Sequence, residues 1–192
     1  MKNRYKMKRL TFAIIAFATF TATVEAQQKT VSTTDSKVVW KGYKVAGSHE
    51  GTIALKSGTL RFDGETLTGG EFTIDMTSLE STDLSGEYKD KLDGHLKSDD
   101  FFGVNNYPTA KMVFNSVKAT GKNSYEVTGD LTIKGQTHPA TFEISVYGSK
   151  ASATLKIDRS KYNVRYGSAS FYNDLKDKVI YDEFDIVADL QF

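Results

Sequence analysis

The chain has 192 residues, 39% of them hydrophobic and 26% charged, with 25 basic side chains against 24 acidic ones and no cysteine. That length supplies one sizeable core and points to a single domain. The missing cysteine excludes a disulfide framework, a thiolate metal site and a cysteine nucleophile.

Reading from the first residue, Lys2, Arg4, Lys6, Lys8 and Arg9 precede the apolar run Leu10 to Phe20, and Val24-Glu25-Ala26 follows. A basic region, a short apolar stretch and a small-residue exit have the order of a secretory signal. The run is too short to cross a bilayer as a helix, so no stable membrane insertion is expected. Cleavage is predicted after Ala26, leaving an exported protein in the periplasm or outside the cell. Losing five bases and Glu25 takes the net charge from +1 to −3. A mildly acidic chain lacks the basic face that a nucleic-acid partner requires.

Residues 27–35 are polar and predict a flexible lead-in, with the folded domain at 36–192. From there the dominant signal is alternation with a period of two. It runs from Val38 to Val45, through a pair of strands at Thr52–Leu55 and Thr59–Phe62, and on to Phe72, Ile74 and Met76. It returns at Ala110, Met112 and Phe114, and again at Tyr125, Val127, Leu131 and Ile133. Phe142, Ile144 and Val146 continue it, then Ala153, Leu155 and Ile157, and Phe184 to Phe192 closes the chain. Turn signals separate the runs at Lys56-Ser-Gly58, Asp63-Gly64, Gly69-Gly70, Gly121-Lys-Asn123, Lys134-Gly135 and Tyr147-Gly148. The fold class is therefore all-β, an antiparallel barrel or sandwich of eight or nine strands.

Two segments depart from the alternation. Between 82 and 102, Leu84, Tyr88, Leu92 and Leu96 recur every four residues and predict an amphipathic helical segment. From Asp158 to Val179 the chain is irregular, with one helical turn expected near Phe171 to Lys176. A loop of that length is either functional or a packed cover.

The chemistry-bearing residues are sparse in pattern. His49, His95 and His138 lie too far apart in sequence, and without a His-x-His or His-Glu-x-x-His spacing, to predict a metal site. His95 stands out because it neighbours Leu92 and Leu96, where a polar group can meet a ligand at a barrel mouth. No nucleophile elbow, phosphate-cradling loop or acid–base carboxylate pair is legible, so neither a catalytic residue nor a cofactor is expected. The apolar rows themselves leave two readings open, a filled core or an interior that encloses an apolar molecule.

Three stretches resemble the YceI-like family. They are His95-Leu-Lys-Ser-Asp-Asp-Phe-Phe-Gly-Val-Asn-Asn-Tyr-Pro108, Gly129-Asp-Leu-Thr-Ile-Lys-Gly-Gln-Thr-His-Pro139 and Asp158-Arg-Ser-Lys-Tyr162. The stretch from Trp40 to Thr52 is shorter and more polar than is usual there and looks like a subgroup's version. The resemblance implies an exported, lipocalin-like antiparallel barrel that holds a lipid or polyisoprenoid chain in its interior, with no catalytic role. The ligand-binding set expected on that basis is Trp40, Phe72, Ile74, Leu92, His95, Leu96, Met112, Phe114, Leu131, Phe142 and Ile144. Asp158 and Arg159 are expected to pair and anchor the long loop. The competing readings are an envelope module with a filled core that is structural or binds a partner, and an enzyme acting on an envelope small molecule.

Overall fold

The computed structural model describes residues 27–192; the expected signal at 1–26 lies outside them. The described residues form nine antiparallel strands: β1 (Gln27–Thr30), β2 (Lys37–Lys44), β3 (Gly47–Asp63), β4 (Thr66–Ser81), β5 (Thr109–Ala119), β6 (Ser124–Ile133), β7 (Gln136–Tyr147), β8 (Lys150–Asp158) and β9 (Ile180–Gln191). Strands β2 to β9 pair with their neighbours in chain order, and β9 pairs back to β2. The result is a closed, eight-stranded, up-and-down barrel, which leaves no long exposed sheet edge. One helix, α1 (Gly86–Lys97), lies between β4 and β5.

Strand direction sorts the connections by barrel end. The β3–β4, β5–β6 and β7–β8 turns are tight and share one end. The opposite end carries the β2–β3 and β6–β7 hairpins, α1 with the turns that follow it, and the long segment between β8 and β9. The barrel thus has a plain end and an elaborated end.

Two expectations about the first strands are corrected. The segment expected as a flexible lead-in starts with β1, registered from Gln27↔Phe62 to Thr30↔Thr59, and Val31 behind it is buried. Strand β2 covers β3 only from Gly47 to Thr52, and β1 occupies the edge of β3 further along. Likewise, Lys56-Ser-Gly58 is not a turn between two strands. β3 runs through it with a register shift between Leu55 and Ser57, because Gly58 supplies clearance. A Cβ there would sit 2.6 Å from the Phe72 ring. Gly70 plays the same part within β4, where a Cβ would lie 3.0 Å from Phe114. Lys134 and Gly135, by contrast, both take positive φ and make the tight turn the sequence signals.

The helix is shorter than the segment that predicted it. Ser85 precedes it in extended conformation, Glu87 sits in its first turn, and His95 and Lys97 close it. It passes through Gly94 unbroken. The four-residue row splits, however: Leu92 and Leu96 face the barrel, whereas Tyr88 is 76% exposed. Asp93 docks the helix onto the end of β4 by accepting from the Ser81 N–H at 2.7 Å and from Lys89 Nζ at 2.6 Å. In the long segment, short 3-10 turns form at Arg159–Tyr162 and Lys176–Lys178, one before and one at the end of the stretch where a turn was expected.

Candidate ligand-binding cavity

Inward-pointing side chains do two different jobs along the barrel axis. At the plain end Val31, Leu60, Leu67 and Val127 are at most 2% exposed and fill the interior. Phe62 and Phe192 stack 5.6 Å apart beside them, with Lys29 Nζ about 5 Å from each ring. Above this plug Phe72, Phe114 and Phe142 pack in a row, 5.8 Å and 5.6 Å between centroids. From that aromatic row to the elaborated end the barrel is hollow. The cavity measures about 320 Å³, within the range of small-molecule sites.

All eleven residues singled out in the sequence line this cavity. Trp40 is on β2, Phe72 and Ile74 on β4, Met112 and Phe114 on β5, Leu131 on β6, and Phe142 and Ile144 on β7. Leu92, His95 and Leu96 reach it from α1. Period-two alternation explains their convergence, since a one-residue slip would turn each strand's set to solvent.

Polar groups on the wall are few, and most are already engaged. Trp40 Nε1 donates to the Glu80 carbonyl at 3.1 Å. Tyr43 Oη donates to Asp185 at 2.6 Å, which raises the phenol's pKa and holds the carboxyl below its ordinary range. His49 Nδ1 lies 2.8 Å from Asp83. Arg159 is buried at 2% exposure. Its Nε donates to the Tyr181 carbonyl, Nη1 to those of Val164 and Tyr166, and Nη2 to that of Ile180. Burial pulls its pKa down while Asp182, 3.4 Å away, works against that.

The expected Asp158–Arg159 pair is therefore corrected in its partner, though the anchoring role stands. Asp158 instead accepts from the Ser160 N–H at 3.0 Å and hydroxyl at 2.6 Å, capping the 3-10 turn. His95 differs from its neighbours. Its ring is held edge-on by Tyr166 at 4.3 Å and Phe101 at 5.7 Å, and its Nε2 is buried with no hydrogen-bond partner. His138 packs against Tyr162 away from the cavity.

A family profile described as the YceI-like domain matches residues 16–192. The chain belongs to the YceI-like domain family. Among curated relatives, a UPF0312 protein of Pseudomonas putida (strain W619) is 39% identical over 87 residues, covering 41% of this chain and 45% of that protein. One from Pseudomonas savastanoi pv. phaseolicola is 32% identical over 114 residues, covering 59% and 56%. The chain thus spans about half the length of the curated relatives it matches. Among solved structures, BcnA of Burkholderia cenocepacia superposes with a TM-score of 0.64 at 28% identity, over 83% of this chain and 98% of BcnA. A polyisoprenoid binding domain from Saccharophagus degradans shares the fold, with a TM-score of 0.56 at 15% identity over 86% and 97%.

Several wall residues were not in the expected ligand-binding set. Phe101 and Phe102 follow the helix, and Ile180, Phe184 and Ile186 come from β9. The β9 residues alternate clearly enough to have been found. Arg159 was expected to anchor the long loop but not to line the cavity, because the carbonyls that hold it come from two separate stretches, 164–166 and 180–181.

Proposed function

We propose that this protein is an exported carrier that binds one long apolar chain, of the lipid or polyisoprenoid type, inside the barrel. The observation that carries this reading is the hollow, carbon-walled interior between the aromatic row and the elaborated end. A filled-core module would need large side chains meeting across the axis there, whereas the neighbouring Ala153 of β8 and Ala188 of β9 give that stretch of wall only small side chains. The shared fold with a domain named for polyisoprenoid binding supports the same class of ligand. Binding rests on desolvation, with each buried methylene contributing about 0.8 kcal/mol, so length rather than directional contact sets affinity. It is not an enzyme on this reading, because the hydroxyl of Tyr43, Nδ1 of His49 and the guanidinium of Arg159 are committed to protein partners.

Trp40 gives a direct test, as the chain's single tryptophan and a wall residue. Titrating delipidated protein with a long-chain prenyl alcohol should change its fluorescence saturably at one equivalent. An unchanged spectrum, together with no lipid in organic extracts of the purified protein, overturns the carrier. Export is tested by N-terminal sequencing of the secreted or periplasmic protein, which should start at or near Gln27; an intact Met1 there overturns it.

A further inference from the structure

Among the described residues that line the cavity, His95 carries a buried Nε2 with no hydrogen-bond partner. Accounting for the other wall groups isolates it. Tyr43, His49 and Trp40 each spend a polar atom on Asp185, Asp83 and the Glu80 carbonyl. Four of the five N–H donors of the Arg159 guanidinium go to carbonyls, and Asp182 lies 3.4 Å from Nη2 as its counter-charge. Lys44 and Tyr181 are exposed to water at the rim. An unpaired polar atom in an apolar interior costs free energy that a ligand recovers by pairing with it.

We propose that His95 Nε2 holds the polar end of the ligand, and that this end is a single uncharged hydrogen-bonding group, a hydroxyl or a carbonyl. The proposal rests on the chain-binding reading and adds the head group to it. A hydroxyl can donate to or accept from an imidazole nitrogen, so either tautomer serves. A diphosphate cannot be matched there. It would bring charge into a carbon-lined space whose one guanidinium already gives four donors to carbonyls and faces the Asp182 carboxylate, and an unpaired buried charge is far more costly than a lost hydrogen bond. The contacts of Tyr166 and Phe101 fix the ring's orientation, so little side-chain entropy is lost when the bond forms.

The test uses Trp40 fluorescence on the mature protein with three probes: geranylgeraniol, geranylgeranyl diphosphate and the matching hydrocarbon without oxygen. The alcohol should bind about five- to tenfold tighter than the hydrocarbon, the scale of one buried hydrogen bond, and at least as tightly as the diphosphate. His95→Phe should abolish the preference, so that the alcohol and the hydrocarbon bind that variant equally. His95→Gln, whose amide can still pair, should retain part of the preference and guards against a packing defect in the first variant. In ¹⁵N-labelled protein the His95 Nε2 resonance should shift with the alcohol and not with the hydrocarbon. Equal affinity of the alcohol and the hydrocarbon for the native protein overturns the proposal. So does a diphosphate that binds tightest and is weakened by Lys44→Ala, because the head would then sit at the rim. If none of the three binds, the chain-binding reading itself falls and takes this one with it.

Discussion

The two ends of the barrel are built from the same strands and do opposite things. Leu60 on β3 and Val127 on β6 are fully buried in the plug at the plain end. Toward the other end, Ile74, Leu155, Phe184 and Ile186 face the interior yet remain only half-buried, because the space they face is empty. Alternation fixes which face of a strand is dry. It says nothing about whether that face meets another side chain or a void, which depends on height along the axis and on what crosses it. The plug closes because Gly58 and Gly70 let the rings of Phe72 and Phe114 approach the β3–β4 backbone.

The contrast breaks most severely at Arg159, which holds the elaborated end in shape. Arg159→Met removes the charge and strands four carbonyls and Asp182, and is expected to cost about 3–5 kcal/mol, as for other buried charges that lose a partner. A urea melt measures the loss, and limited proteolysis should cut between residues 160 and 179. A change below 1 kcal/mol would show that the long segment is held by other contacts.

Leucine truncation compares the ends directly. Leu60→Ala opens a hole in the plug and should cost about 2–5 kcal/mol. Leu155→Ala enlarges a space that is already empty, so only the transfer of a half-buried side chain is lost, about 1 kcal/mol. Equal costs in thermal melts would mean that the cavity collapses in solution.

A finer comparison sits on one strand. Ala151 and Ala153 both point inward from β8, one behind the cavity and one on its wall. Ala151→Leu overpacks and should destabilise by about 1–3 kcal/mol. Ala153→Leu has room, so stability should hold while uptake of a long-chain fluorescent probe falls. Loss of stability in both variants, with no probe bound by the native protein, would make the interior a filled core.

How much of this was readable beforehand follows from the range of each interaction. The strands and the eleven wall residues came from local alternation, which survives folding because every register but one exposes the apolar set. The glycines misled, since Gly58 and Gly70 look like turn residues but serve rings brought from β4 and β5, contacts no local pattern encodes. β1 was missed because four polar residues owe their strand to an edge of β3 some thirty positions on. Arg159 was legible as a charge that anchors the long loop, but its partners were not. Its role depends on carbonyls up to 22 residues away. Lys134 is similar, lying next to a recognisable turn yet donating to the Asp99 and Phe101 carbonyls after the helix.

The smallest effect concerns how α1 is held over the elaborated end, and it depends on pH. Burial alone would raise the Asp93 pKa, but the hydrogen bonds from Lys89 and the Ser81 N–H outweigh it and leave it below the ordinary 3.8. A carboxyl whose pKa is depressed on folding stabilises the fold above its unfolded value, and that stability is lost as pH falls through the folded value. Asp93→Asn keeps an oxygen for the Ser81 N–H and loses the charge that faces Lys89. At pH 7 it should therefore be less stable by about 1 kcal/mol, the scale of one such hydrogen bond. The difference should shrink once the pH drops below 3.8, because the native carboxyl is then being neutralised too. Urea melts at neutral and acid pH measure both arms. A gap that stays constant with pH would assign the Asp93 contribution to packing rather than to its charge, and α1 would then be held over the cavity by Leu92 and Leu96 alone.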